Sequence, residues 1–138
     1  MATLPHILII DAYVPALVEG LAARGIAHSY LPHSTPAEAA AALPQATVLV
    51  LRSKLSLHAA HLAQAPQLRL VIRTGAGTDH LDVAALQAAG VQLVTTPAGN
   101  RDAVGEHALG MLLGLCHRIC AADAEVRQGL WPAKRWAS

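Results

Sequence analysis

Three short segments carry the residues with which this chain could hold a small anion: Arg52-Ser53-Lys54, Arg73-Thr74-Gly75-Ala76-Gly77-Thr78-Asp79-His80, and Thr95-Thr96-Pro97-Ala98-Gly99-Asn100. In the second, Gly75 and Gly77 let the backbone turn N–H groups toward a ligand, the chemistry that holds a carboxylate or phosphate. A tight structural turn accounts for the same glycines. His80 stands where the third glycine of a dinucleotide fingerprint would be, so that motif is incomplete. In the first segment a guanidinium beside a hydroxyl suits the same anions, and a solvated charged loop is the alternative. In the third, Asn100 suits both a helix N-cap and a hydrogen bond to a carboxylate. Three anion-friendly loops carry more weight together than singly.

The remaining reactive residue types are less promising. His58 and His61 share a helix face, but no third ligand is placed to complete a metal site, and they read as surface residues. His107 beside Glu106 reads as a structural polar contact. Cys116 and Cys120 read as buried apolar residues, with no neighbouring cation to lower a thiol pKa. No catalytic residue and no metal ligand is assigned.

The elements that must position these loops alternate between short apolar runs and Ala-rich stretches. Strands are predicted at Ile7–Ile10, Ile26–Leu31, Thr47–Leu51, Leu68–Ile72 and Val91–Thr95. Helices are predicted at Val14–Arg24, stopped by Gly25; from Thr35-Pro36-Ala37-Glu38, with a capping residue, a Pro at N1 and an acid at N3; at Leu57–Ala65; and at Leu81–Ala89, stopped by Gly90. Several strands are apolar throughout, as in sheets covered on both faces. Strands separated by helices imply right-handed crossovers. The expectation is an α/β fold, a five-stranded doubly wound parallel sheet of flavodoxin-like type ordered 2-1-3-4-5, followed by a long C-terminal helix. All three anion-friendly loops then leave carboxyl ends of strands.

From Asp102 to about Gly129 there is no Pro and no turn cluster, so one helix of about 40 Å is predicted. Val104, Ala108, Met111, Leu115, Ile119, Ala122 and Val126 form one apolar stripe. Leu109, Leu113, Cys116 and Cys120 form a second, the pattern of a helix buried on more than one side.

Composition bounds the rest. The 138 residues suit one domain with a real core, and 54% hydrophobic against 14% charged content rules out disorder. A net charge of +1 gives no pull toward nucleic acid or anionic membrane. Two cysteines make no disulfide framework, and the N-terminus lacks the signal-peptide pattern, so a cytoplasmic protein is expected. A receiver domain would need an Asp ending the third strand and a Lys ending the fifth. Asp11 fits its acidic site, but Arg52 and Pro97 occupy the other regions. Flavin binding is disfavoured, because Asp11-Ala12-Tyr13-Val14-Pro15 lacks a hydroxyl-rich phosphate loop.

In order along the chain come Arg52-Ser53, Val71-Ile72-Arg73-Thr74-Gly75-Ala76-Gly77-Thr78-Asp79-His80-Leu81-Asp82, Ala88-Ala89-Gly90-Val91, Thr96-Pro97-Ala98-Gly99-Asn100, Val104-Gly105-Glu106-His107 and Gly129-Leu130-Trp131. This succession resembles the D-isomer-specific 2-hydroxyacid dehydrogenases, nearest to the phosphoglycerate dehydrogenase-like members. The resemblance implies a two-lobed oxidoreductase moving hydride between NAD or NADP and a 2-keto or D-2-hydroxy acid. It implies a substrate carboxylate held by Gly75, Ala76 and Gly77, a substrate tail near Arg52 and Ser53, and a reacting carbonyl near Asn100. It further implies a substrate-binding lobe over 1–100, an interlobe helix over 101–131 that builds a homodimer, and a tail over 132–138. The family's dinucleotide fingerprint and catalytic residues would lie beyond Ser138. The expectation is therefore a truncated lobe, inactive and binding no cofactor alone, whose partners are a small carboxylate and a second copy of itself. The alternative is a non-catalytic dimerising module with vestigial loops.

Overall fold

The structure, a computed structural model, describes residues 5–131. The tail over 132–138 lies outside the described residues. The chain divides into two compact units, Met1–Gly99 and Asn100–Ser138.

In the first unit, β1 (Ile7–Ile9), β2 (His28–Tyr30), β3 (Val48–Leu51), β4 (Leu70–Arg73) and β5 (Gln92–Thr95) form one parallel sheet in the order β2-β1-β3-β4-β5. The helices α1 (Pro15–Ala23), α2 (Pro36–Ala41), α3 (Ala59–Ala63) and α4 (Val83–Ala88) connect them, with a 3-10 turn at Leu43–Gln45 after α2. The expected fold class and strand order are thus observed.

Right-handed crossovers explain the layering. The step from β1 to β2 runs opposite to all later steps, so α1 covers one face and α2, α3 and α4 the other. Leu8, Leu49 and Val71 share a register row facing the second layer and bury against Ala39, Leu43, Leu62 and Leu86. Each large side chain so buried contributes about 1.5–3 kcal/mol. On the α1 face a single helix cannot cover five strands. Ile9 is 0% exposed and Val50 6%, but Val94 on edge strand β5 is 39% exposed. β1 and β3 are apolar on both faces, yet only the α2–α4 face is closed across the sheet.

Local signals acted as read. Thr35 Oγ1 accepts from Glu38 N while Glu38 Oε2 accepts from Thr35 N, a complete capping box with Pro36 at the helix start. Asp82 caps α4 by accepting from Ala85 N at 2.9 Å. Gly25 and Gly90 leave α1 and α4 with φ of 65° and 69°.

The second unit corrects three expectations. The C-terminal helical segment is present, but as α5 (Arg101–Cys116) and α6 (Ile119–Arg127), not one uninterrupted helix. Arg118 between them takes a left-handed φ of 51°, which costs a non-glycine residue about 1–2 kcal/mol. Arg118 N donates to Leu115 O, closing α5, and Arg118 O accepts from Ala122 N, opening α6. No residue of α5 or α6 is buried, and Cys116 and Cys120 are exposed free thiols, contrary to the buried stripes and buried cysteines expected. The contact between α5 and α6 does not by itself enclose an apolar stripe. Among the described residues, no helix is long and apolar enough to cross a membrane.

Candidate functional site at the carboxyl edge of the sheet

The parallel sheet ends its strands on one edge, and the order reverses beside β1, where open α/β sheets form a crevice. Four loops of the first unit meet along that edge. They follow β1 (Asp11 to Val14), β3 (Arg52 to Lys54), β4 (Thr74 to His80) and β5 (Thr96 to Gly99).

The loop after β4 is anchored at both ends. Thr74 N donates to Leu51 O at 3.0 Å at its start. At its far end Leu57 N donates to His80 O, and Asp82 N to Leu57 O, both at 2.9 Å. Gly75 O accepts from Thr96 N at 3.1 Å, which ties in the loop after β5.

Within this frame the three predicted residues differ. Gly75 has φ of 147°, and its N–H donates to Arg73 O at 3.0 Å, so it shapes the turn and its donor is committed. A side chain there would collide with the Arg73 guanidinium, which packs against the glycine. Ala76 and Gly77 are exposed, and among the described residues no carbonyl accepts from their N–H groups, nor from those of Thr78, Asp79 and His80. Two adjacent unpaired amides on a fixed loop are what an anion cradle requires. Asp79 opposes it in part, with Oδ2 3.3 Å from where a Gly77 Cβ would lie.

Around the cradle stand cations and hydroxyls. Arg52 and Ser53 are exposed, and their side chains have no partner among the described residues. The Arg52 main chain is fixed instead: its N–H donates to Asp11 Oδ2 at 2.7 Å. Lys54 donates to Pro32 O at 2.6 Å and Leu31 O at 3.3 Å, so it closes the β2–α2 loop and is not available to a ligand. Arg73 is half-buried, and its Nε is buried without a hydrogen-bond acceptor. A buried donor left unmatched on a cation is costly, and an anion at this edge supplies the opposite charge.

Tyr13, Asp11, Arg73 and Thr74 belong to the edge although the motifs did not single out their contacts. Tyr13 Oη lies 2.7 Å from Thr74 Oγ1, across 61 residues of sequence. Burial pushes the Tyr13 phenol above its ordinary value of 10.0; the Asp11 carboxylate adds to this, while the Thr74 hydroxyl, Arg52 and Arg73 temper it. An acid directly after a first strand was a readable signal for Asp11. Nothing local marks Tyr13.

Asn100 falls in the second unit, at the N-cap position of α5, with φ of −136° and ψ of 10°. Its side chain makes no capping bond; its carbonyl accepts from Val104 N at 2.9 Å. The His58 and His61 rings stack at 6.0 Å between centroids, and His61 Nδ1 accepts from His58 N. Among the described residues no group of three or more His, Cys, Asp or Glu is placed to hold a metal.

The residues do not fit a dinucleotide. Its pyrophosphate would sit at a glycine-rich turn after a first strand. Here that loop holds Asp11 and Tyr13, and the Asp11 carboxylate is committed to Arg52 N.

A family model described as "D-isomer specific 2-hydroxyacid dehydrogenase, catalytic domain" matches residues 7–135. D-3-phosphoglycerate dehydrogenase of Mycobacterium tuberculosis is 37% identical over 129 residues, covering 94% of this chain and 24% of that protein. D-3-phosphoglycerate dehydrogenase of Rattus norvegicus is 31% identical over 135 residues, covering 98% of this chain and 25% of that protein. A crystal structure from Polaromonas, described as a D-isomer specific 2-hydroxyacid dehydrogenase, NAD-binding, superposes with a TM-score of 0.79 at 25% identity. It covers 99% of this chain and 44% of its own. The chain thus spans about a quarter of the length of the curated relatives it matches.

Proposed function

The chain belongs to the D-isomer specific 2-hydroxyacid dehydrogenase family, and from that premise we propose that its carboxyl edge receives the carboxylate of a small 2-keto or D-2-hydroxy acid. The carrying observation is the pair of unpaired N–H groups at Ala76 and Gly77, on a loop anchored at Thr74, Gly75 and His80. In this reading the substrate carboxylate lies across those amides, and Arg52 and Ser53 meet its other end. Arg73 supplies the second positive charge. Two guanidiniums suit a substrate with a second anionic group, in keeping with the phosphorylated acid named by the relatives.

Hydride transfer needs a positioned nicotinamide, NAD or NADP, which the edge residues described here do not bind. In this reading the chain contributes substrate binding to that reaction. Titration of D-3-phosphoglycerate and D-lactate into the isotope-labelled 138-residue chain tests the reading by NMR. The expected result is saturable movement of the Ala76 and Gly77 amide resonances, with affinity of about millimolar, roughly 4 kcal/mol. Phosphoglycerate should bind more tightly than lactate. Unmoved amides with either acid overturn the proposal.

A second reading concerns the helical unit. Met111, Leu112, Leu115 and Ile119 are 59%, 56%, 77% and 55% exposed. Such a concentration of apolar surface marks an interface, and we propose that a second copy of the chain covers it, in a two-fold dimer. A dimerising module without catalysis shares this feature; ligand binding at Ala76 and Gly77 separates the two.

A further inference from the structure

The Tyr13–Thr74 contact joins two loops that do not otherwise need each other. Thr74 is the residue from which the anion loop departs, and its position has three determinants. Its N–H donates to Leu51 O at 3.0 Å, its hydroxyl donates to the same oxygen at 3.4 Å, and its Oγ1 lies 2.7 Å from Tyr13 Oη. A threonine hydroxyl has one proton. With that proton directed to Leu51 O, Tyr13 donates in the short contact; with it directed to the phenol, Tyr13 accepts, and the two loops are joined either way.

Tyr13 is itself held. Its N–H donates to Tyr30 Oη at 3.2 Å, and Tyr30 Oη donates back to Tyr13 O at 3.4 Å. Asp11, two residues earlier, accepts from Arg52 N at 2.7 Å. The loop after β1 is thereby fixed to β2 and β3, and from that base the Tyr13 phenol crosses to the end of β4. One residue beyond Thr74, Gly75 turns the chain through its bond to Arg73 O; the N–H groups of the next two residues have no acceptor among the described residues.

We propose that Tyr13 is a positioning residue: its phenol, through the hydrogen bond it shares with Thr74 Oγ1, sets the angle at which Gly75, Ala76 and Gly77 leave β4 and so aims the Ala76 and Gly77 amides. This rests on the anion-cradle reading for its ligand consequence, though not for its effect on the free loop. Pre-aimed donors bind an anion without first losing loop freedom.

The test compares Tyr13→Phe, Thr74→Val and the double variant in the 138-residue chain. The phenylalanine keeps the ring and its packing and removes only the hydroxyl. Affinity for D-3-phosphoglycerate, read from the Ala76 and Gly77 amide shifts, should fall about three- to tenfold in Tyr13→Phe, the range for one lost hydrogen bond. Thr74→Val should produce a similar loss, and the double variant no further one, because both remove the same interaction. Additive losses overturn the proposal. In the absence of ligand, hydrogen exchange at the Thr74 and Gly75 amides should quicken by a similar factor in Tyr13→Phe, while the core amide of Leu49 is unchanged. Unchanged exchange at Thr74 and Gly75 overturns the proposal whatever the ligand does. If those rates quicken but wild-type chain does not respond to phosphoglycerate, the positioning role stands and the anion reading falls. If wild-type chain binds and Tyr13→Phe binds equally, the reverse holds.

Discussion

Replacing Gly75 by alanine separates backbone shape from hydrogen-bonding at the candidate site. Gly75 has φ of 147°, a region in which a side chain costs about 1–3 kcal/mol. The alanine recovers about 0.4–1 kcal/mol by restricting the unfolded chain. The new Cβ would overlap Nη1 of Arg73 and lie 2.7 Å from its Cζ. That guanidinium ends a flexible side chain, so it swings aside at modest cost, but its charge leaves the cradle. The net loss should be about 1–2 kcal/mol, from the backbone strain less the unfolded-state gain. For a unit of this size that lowers the melting midpoint by about 5–15 °C. Gly77→Ala is the control: its φ is not positive, and its nearest neighbour is the Asp79 carboxylate at 3.3 Å. It should stay within about 0.5 kcal/mol of wild type. Calorimetry and urea titration read both variants, and phosphoglycerate titration reads the site. Gly75→Ala with wild-type stability, or Gly77→Ala equally damaged, refutes the strain argument. Gly75→Ala with unchanged ligand shifts refutes a contribution of Arg73 to the cradle.

Tyr13 has its folded pKa raised above 10.0, chiefly by burial, so it favours the protonated phenol and its stabilisation is fully present below pH 10. Stability should fall as pH climbs through the folded value, and Tyr13→Phe should remove that part of the alkaline slope; an unaltered slope would contradict the assignment. Glu38 has the opposite sign: the Thr35 backbone bond and then the Thr35 hydroxyl hold its carboxyl below 4.5, so its contribution is present above 4.5 and lost as pH falls through the folded value. Glu38→Gln should flatten the acid limb of the stability curve, and Thr35→Ala should cost about 1 kcal/mol in urea titration; no change in Thr35→Ala would show that Pro36 alone starts α2. In the helical unit, Leu115, 77% exposed, should lie in the interface between copies. Sedimentation at micromolar concentration should give about twice 14.4 kDa for wild type and 14.4 kDa for Leu115→Glu; a wild-type monomer would remove the dimer.

The sheet was legible because its signals are local and mutually consistent. Each apolar run is short and ends at a turn residue, Gly25 and Gly90 close their helices, and Thr35-Pro36-Ala37-Glu38 states a helix start within four residues. Crossover handedness then turns element order into strand order with few alternatives. Strand ends shifted by one or two residues, as at β2 and β4, because pairing with the neighbour sets where a ladder begins. That a glycine-rich turn follows β4 at the carboxyl edge was legible for the same reason: Gly75 and Gly77 follow an apolar run in a parallel sheet. Which amides are free was not. Gly75 surrenders its N–H to Arg73 O, and that depends on a turn geometry that two glycines permit but do not dictate. Tyr13 was invisible because its partner is 61 residues away.

The break at Arg118 shows a different limit. Sequence reading detects a helix end by its breakers, and between Asp102 and Gln128 the glycines at 105, 110 and 114 all lie inside α5, while no proline occurs. The break falls elsewhere, after Cys116. Cys116, His117, Ile119 and Cys120 all belong to the poorer helix formers, each a few tenths of a kcal/mol or more below alanine. Summed over four residues, that deficit is about the size of the left-handed strain at Arg118. A segment in such balance is decided by what packs on it. The apolar side chains exposed on α5 and α6 are the part of the helical unit most dependent on a covering surface. The same side chains that leave the helix break unreadable from sequence are those expected to meet the second copy.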